Sequence, residues 1–185
     1  MRRRAVAAAM LAMVAVASTA AAAPRPHVED AKGDAVLASH DILSMTFSTV
    51  GTGANAELQM RVELAGPPNP DVGHYWAVSW RSPGCARTDV IYTRSVFYPG
   101  EDRAQMGWQC KAGDEVKLGY PATGRLEGSS LILRVPLGRR YRPGTMLSEP
   151  FVTSYAAVYV ASGMPSYYRA DSTDQGREYR VGSRG

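Results

Sequence analysis

The residues best suited to chemistry in this chain are aspartates in two short polar segments, one near each end. The first segment, EDAKGDA at 29–35, contains Asp30 and Asp34, and Asp41 follows shortly after it. The second, RADSTDQGREY at 169–179, contains Asp171 and Asp174. Calcium is bound by six to eight oxygen atoms, and Asp-rich loops commonly supply them. The composition of these segments therefore favours a calcium site.

The two segments can share one ion only if the first and last strands of the fold meet. Gly33 and Gly176 would allow the tight backbone turns that such loops need. A calcium ion held this way would have a structural role, tying the chain ends together. The alternative is that both segments are solvated turns, since aspartate is common in turns without any metal.

Other chemistries find little support in the sequence. The chain has no GxSxG, HExxH or SxxK motif and no glycine-rich phosphate loop. Its three histidines, His27, His40 and His74, form no ligand-like doublet, and His40 and Asp41 would point to opposite faces of a strand. We therefore predict a protein that is not an enzyme and has no organic cofactor. Carboxylates paired only in space remain the alternative.

The first 23 residues have the three parts of a secretory signal. Arg2, Arg3 and Arg4 precede an apolar stretch, and a run of alanines ends at Ala23. We predict cleavage after Ala23 and a secreted protein, extracellular or associated with the cell wall, with no membrane span in the mature chain. The formal charge of +4 includes those three arginines, so the rest of the chain is nearly neutral. Nucleic acid is therefore not an expected partner.

Secretion also determines how the two cysteines, Cys85 and Cys110, are interpreted. Thiols oxidise outside the cytosol, so the pair is predicted to form a disulfide. A metal site is the alternative, but two isolated cysteines lack the CxxC spacing that zinc sites use. The disulfide would stabilise the fold by roughly 3 kcal/mol through its effect on the unfolded chain.

Alternation of apolar and polar residues dominates the mature chain and predicts many short strands. In 57–64, Leu58, Met60, Val62 and Leu64 alternate with polar residues. No stretch has a convincing helical period, so we predict an all-β fold: one antiparallel β-sandwich of about nine or ten strands, immunoglobulin-like or jelly-roll-like, at 24–185 with an ordered core at about 28–182. The predicted strands are 41–50, 57–64, 74–81, 88–98, 104–111, 115–120, 125–127, 130–137 and 151–160.

Three sequence segments resemble a known group of domains. The opening DAKGDA followed by HDILSMTF resembles the D-x-x-GD…DI-x-S-x-x-x start of secreted bacterial β-sandwich domains of the DOMON-like and family-9 carbohydrate-binding-module-like group. The ending ADSTDQGREYRVG and the segment VPLGRRYRPGTML are similar to later parts of the same domains. The resemblance implies a β-sandwich with a structural calcium ion near the chain ends. It assigns the metal ligands to Asp30, Asp34, Asp41, Asp171 and Asp174.

The resemblance also implies a secreted, non-catalytic binding module whose ligand is a glycan or cell-envelope polymer. Sugars stack on exposed aromatic side chains, but Trp76 and Trp80 share a face with Val78 and are predicted to lie in the core. Tyr75 is predicted on the opposite face. The other exposed candidates are Tyr92, Tyr98, Tyr167 and Tyr168, and Trp108 is expected to pack on the disulfide. The alternative is an extracellular protein-interaction or inhibitor domain without metal, with a protruding loop at 67–72 or 99–103.

Overall fold

The protein is all-β. A computed structural model describes residues 25–68, 74–81, 93–98, 101–108, 117–138, 141–159 and 165–183. The strands are β1 (Val28–Glu29), β2 (Ile42–Val50), β3 (Glu57–Leu64), β4 (His74–Arg81), β5 (Thr93–Tyr98), β6 (Glu101–Trp108), β7 (Lys117–Glu127), β8 (Ser130–Pro136), β9 (Met146–Tyr159), β10 (Pro165–Ser172) and β11 (Tyr179–Arg180), with one 3-10 turn at Gly53–Asn55. In the described part of the chain, no helix is long and apolar enough to cross a membrane. The predicted signal segment and the Cys85–Cys110 disulfide lie outside the described residues.

The strands form two antiparallel sheets that share β7. The first sheet has the order β1-β2-β3-β8 and ends in residues 123–127 of β7. The second sheet begins with residues 117–122 of β7 and continues β6-β5-β4-β9-β10. β11 adds a short pairing with the start of β9. The connections from β3 to β4 and from β8 to β9 therefore pass from one sheet to the other.

The inner faces of both sheets meet in one hydrophobic core. Leu58, Met60 and Val62 of β3 are fully buried, as the alternation predicted. They belong to the same cluster of buried side chains as Trp76 and Trp80 of β4, in the second sheet. Phe47 of β2 contacts Trp80 edge to face, with ring centroids 5.6 Å apart. The predicted all-β fold of antiparallel sheets and the core position of both tryptophans are confirmed.

One expectation about β4 was wrong. Tyr75, predicted to be an exposed platform, is only 8% exposed, and its ring lies 4.8 Å from that of Tyr155, its direct partner on β9. Ala77 and Ser79, on the same face of β4, are buried as well. β4 is therefore covered on both faces, which alternation in sequence does not distinguish from a half-exposed strand. Of the other tyrosine candidates, Tyr168 is exposed, whereas the side chains of Tyr92, Tyr98 and Tyr167 lie outside the described part.

Residues near the C-terminus are hydrogen-bonded to and packed against the end of β2. The Thr49 hydroxyl shares a hydrogen bond of 2.8 Å with the hydroxyl of Tyr179, which is nearly fully buried. The same Thr49 oxygen accepts a bond of 2.9 Å from the backbone N–H of Gly182. The Tyr179 ring stacks on Phe47, with centroids 5.4 Å apart. This short strand therefore closes one end of the core.

Replacement of Thr49 by valine, which keeps the shape of the side chain, is expected to lower the free energy of unfolding by about 1–2 kcal/mol because it leaves the buried Tyr179 hydroxyl unpaired. Chemical denaturation measures the change. Thr46→Val, on the same strand and without a side-chain hydrogen bond in the described structure, is the control and should be nearly neutral. Equal stability of the two variants would contradict the role given to Thr49.

Candidate metal centre

The candidate metal centre is built by the two ends of the chain. Asp30 follows β1 directly, Asp34 lies in the loop that leads to β2, and Asp41 immediately precedes β2. Asp171 lies in β10, where a register shift after Arg169 interrupts the pairing with β9. The Asp171 Oδ2 atom accepts a hydrogen bond of 2.8 Å from the backbone N–H of Ile42 at the start of β2. This bond brings the last long strand to the first acidic loop.

Three of the five predicted ligands converge. Asp30, Asp34 and Asp171 each offer a carboxylate oxygen, and these oxygens lie within 4.8 Å of one another. Asp34 is exposed and Asp30 is half-buried. This spacing allows one cation to contact all three carboxylates, and the ligands are all oxygen atoms. Hard cations such as calcium prefer that ligand type.

Asp41 holds the loop between β1 and β2 in place through a hydrogen bond to its backbone. Its side chain is only 3% exposed, and its Oδ2 atom accepts a hydrogen bond of 2.8 Å from the backbone N–H of Gly33. Gly33 has φ +92°, in the left-handed region that glycine adopts without strain. This bond fixes the turn between Asp30 and Asp34. The backbone conformation of the turn therefore requires Gly33, as predicted from the sequence.

Two buried carboxylate oxygens of the cluster lack a partner among the described residues. They are Asp41 Oδ1 and Asp30 Oδ2, whereas Asp30 Oδ1 accepts a bond of 2.9 Å from the backbone N–H of Ala31. A buried carboxylate oxygen without a hydrogen bond is unfavourable unless a cation approaches it. The donor set and these two oxygens therefore fit a bound calcium ion.

The aspartates raise one another's affinity for protons. The pKa of Asp30 is raised, mainly by burial and further by the charges of Asp171, Asp34 and Asp174, although the Ala31 N–H opposes the shift. Burial also raises the pKa of Asp171, as do the charges of Asp34 and Asp41, against hydrogen bonds from the N–H groups of Ile42 and Ser172. Among the described residues, no basic side chain contributes to either shift. The cluster therefore concentrates negative charge, which a divalent cation would neutralise.

Asp174 occupies the margin of the cluster. Its side chain is exposed, and it does not belong to the group of three carboxylates within 4.8 Å. Its backbone carbonyl accepts a hydrogen bond of 3.0 Å from the Thr173 hydroxyl. Its charge contributes to the raised pKa of Asp30. The structure thus brings Asp30, Asp34 and Asp171 together, places Asp41 against the Gly33 N–H of the same loop, and leaves Asp174 outside the group of three.

Backbone contacts hold the same two chain ends together beside the cluster. The N–H of Arg177 donates to the carbonyl of His27 at 2.6 Å, and the N–H of Gly176 donates to the carbonyl of Pro150 at 2.7 Å. The Arg177 guanidinium donates to the carbonyls of Arg25 and Pro26 at 3.0 and 2.6 Å. The contacts of Arg177 join residues about 150 positions apart, so the local sequence does not indicate them.

The histidines described with side chains serve the fold. His27 is buried, and its Nδ1 atom accepts a hydrogen bond of 3.1 Å from the backbone N–H of Phe47. Its pKa is lowered by burial and by the charge of Arg177, so the ring is neutral at pH 7. His40 is fully buried, and its Nδ1 atom lies 3.3 Å from the Ser39 hydroxyl.

Comparison with protein-family models and with curated proteins finds no match for this chain. The features of this chain that bear on function are therefore those of its own geometry. That geometry consists of an acidic centre that joins both ends of a two-sheet fold and has unpaired buried oxygens.

Proposed function

We propose that this protein is a secreted, non-catalytic binding module in which a structural calcium ion ties the two chain ends together. We further propose that its ligand is a glycan or cell-envelope polymer. The observation that carries the metal proposal is the convergence of Asp30, Asp34 and Asp171 beside the buried, unpaired oxygens of Asp30 and Asp41. The similarity of the acidic segments to those of calcium-containing β-sandwich domains supports the same proposal.

Calcium fits this centre better than zinc does. Zinc sites in proteins use cysteine and histidine as well as carboxylates, whereas the converging side chains here are all aspartates. Calcium also accepts irregular coordination, which suits a loop next to a strand irregularity. An ion that binds only the folded chain stabilises it, and the gain increases with the concentration of free ion.

The non-catalytic part of the proposal rests on what the titratable groups do. Asp41 and Asp171 accept backbone hydrogen bonds that hold a turn and a strand in place. His27 accepts a backbone bond inside the fold. Groups engaged in this way are poorly suited to donating or removing protons from a substrate. A binding role requires only a surface that a ligand can contact. A two-sheet fold whose chain ends are held together provides such a surface.

Calorimetric titration of the exported protein with calcium tests the metal proposal. We expect one ion to bind per chain, and Asp34→Ala to abolish the heat of binding, because Asp34 supplies a carboxylate and has no structural hydrogen bond. Glu29→Ala is the matched control, since Glu29 is exposed, adjacent to Asp30 and not part of the cluster. Absence of calcium binding, or equal binding by the Asp34 variant, would refute the metal assignment.

A second candidate function, an extracellular protein-interaction domain without metal, is favoured by one exposed surface. Val36 is 96% exposed and Leu37 41% exposed in the loop between β1 and β2. The N–H of Gly66 donates to the carbonyl of Ala38 at 2.9 Å, which brings this loop next to exposed Pro67. Pro67 opens the predicted interaction loop at 67–72, whose residues 69–72 lie outside the described ranges. This candidate predicts no calcium binding in the titration above.

A further inference from the structure

The outer face of the first sheet carries polar side chains in ordered rows. These side chains come from the outward positions of β2, β3, β8 and β7, which the register places side by side. One row consists of Ser48, Gln59, Arg134 and Thr123. A neighbouring row consists of Thr46, Arg61, Ile132 and Arg125, of which only Ile132 is apolar. Such an arrangement presents several hydrogen-bonding groups at fixed spacing on a rigid surface.

A pit of about 170 Å³ opens on this face. Its lining, here called the arginine pit, consists of Glu57, Thr123, Gly124, Arg125, Ile132 and Arg134. Ile132 is only 3% exposed although it occupies an outward position, so it forms an apolar floor beneath the polar groups. Pockets that enclose whole small molecules are commonly 300 Å³ or larger. The arginine pit therefore suits one residue of a longer polymer.

Two guanidinium groups flank the pit and keep free donors. Arg134 donates from Nε to Gln59 Oε1 at 2.9 Å, and its Nη1 atom lies 3.6 Å from Glu57 Oε2. Arg125 contacts Glu127 Oε1 through Nε at 2.7 Å and Nη2 at 2.6 Å. The Nη2 of Arg134 and the Nη1 of Arg125 have no partner among the described residues. Each arginine thus holds its orientation through one side of its guanidinium and leaves the other side available.

We propose that the arginine pit binds the carboxylate of an acidic sugar residue, that is, a uronic acid unit of a polymer. This inference rests on the proposed glycan ligand and names its class. Arginine binds carboxylates with planar, paired hydrogen bonds. The lining offers two guanidinium groups, whose charges are balanced by Glu57 in the lining and by Glu127 beside it, and the guanidinium donors that these carboxylates leave free are the groups available to a ligand carboxylate.

The remaining lining groups match the rest of such a sugar. The Thr123 hydroxyl and the Glu57 carboxylate can accept hydrogen bonds from sugar hydroxyls. Ile132 offers an apolar surface to the C–H groups of the ring. The ion pairs already present on this face join side chains that are about one-third or more exposed, and such pairs contribute little to stability. A ligand carboxylate can therefore compete with Glu57 and Glu127 for the arginines.

Calorimetry with uronic acid trimers tests this inference. The probes are trimers of galacturonate and of glucuronate, and the same trimers with every carboxylate methyl-esterified, which removes the charge and adds a small methyl group. We expect at least one acidic trimer to bind about tenfold more tightly than its ester. Arg134→Gln should weaken that binding about tenfold or more, and Arg134→Lys should restore it only in part, because lysine lacks the planar pair of donors.

Arg169→Gln is the control, since it removes an exposed arginine from β10 in the other sheet. Unfolding curves of all variants must coincide, so that lost binding is not lost folding. If the acidic trimer and its ester bind equally well, or if the Arg134 and Arg169 variants bind the acidic trimer equally well, the arginine pit does not bind a uronic acid carboxylate. The proposed glycan-binding function is not affected by either result. Failure of acidic trimers, esters and neutral polymers alike overturns the pit together with the glycan proposal.

Discussion

Replacement of Gly176 by alanine is expected to lower the free energy of unfolding by about 3 kcal/mol or more, because the added methyl group has no room. A Cβ atom at this position would lie 2.1 Å from the carbonyl oxygen of His27 and 2.7 Å from Val28 Cγ2. The nearest atom belongs to the backbone and cannot rotate away. The substitution must therefore push apart the two chain ends that Arg177 and the acidic cluster hold together.

Gly138→Ala is the control for this prediction. A Cβ atom there would meet nothing within 4 Å, and the backbone is not in the left-handed region. This change is expected to be neutral or slightly stabilising. Chemical denaturation of both variants, with and without calcium, gives the comparison. If the Gly176 variant is as stable as the Gly138 variant, the close approach of the chain ends does not occur in solution.

Removal of calcium is expected to produce the second large effect, and the size of that effect should depend on pH. An ion present at a hundred times its dissociation constant stabilises the folded chain by about 2.7 kcal/mol. Because the pKa values of Asp30 and Asp171 are raised, the folded apo protein takes up protons before the unfolded chain does. For these two groups, apo stability is therefore greatest below the ordinary aspartate pKa, about 3.9, and declines as the pH rises through the raised values.

Protons compete with calcium for the same carboxylate oxygens. Acidification therefore changes the stability of the calcium-loaded protein and that of the apo protein differently. We expect the difference in melting temperature between calcium-loaded and chelator-treated protein to shrink steadily from pH 7 to pH 4.5. His27 has a lowered pKa and disfavours folding at low pH, but it does so in both samples and drops out of the difference. Asp171→Asn should flatten the profile. A difference that stays constant with pH would mean that any calcium binds elsewhere.

Alternation in sequence was a sound guide to strands that bury one face. The bounds of β3 and β4 agree with the predicted 57–64 and 74–81. Where a strand changes partners, the pattern failed: the predicted 115–120 and 125–127 are one strand, β7, that pairs with β6 up to Ala122 and with β8 from Thr123. β10 was not predicted as a strand.

The candidate metal centre was predictable as a set of residue types but not as a geometry. Local composition pointed to both acidic segments. The placement of Asp171 depends on a bond to Ile42, 129 positions away, and nothing in the local sequence reports that contact. The arginine pit was missed for a related reason. Its residues on β7 and β8 belong to one hairpin, but Glu57 comes from β3, which is distant in sequence and becomes their neighbour only through the pairing of β3 with β8.

The division of β7 between two sheets also determines how the protein would carry a mechanical load. Thr123, Gly124 and Arg125 of the arginine pit lie just where β7 leaves β6 and joins β8. A polymer held in the pit would pull on the corner of a strand that is hydrogen-bonded into both layers. The tension would be shared between two sets of backbone bonds, and neither layer could peel away without straining the other. An anchoring point at this corner would resist detachment better than one on a free edge strand.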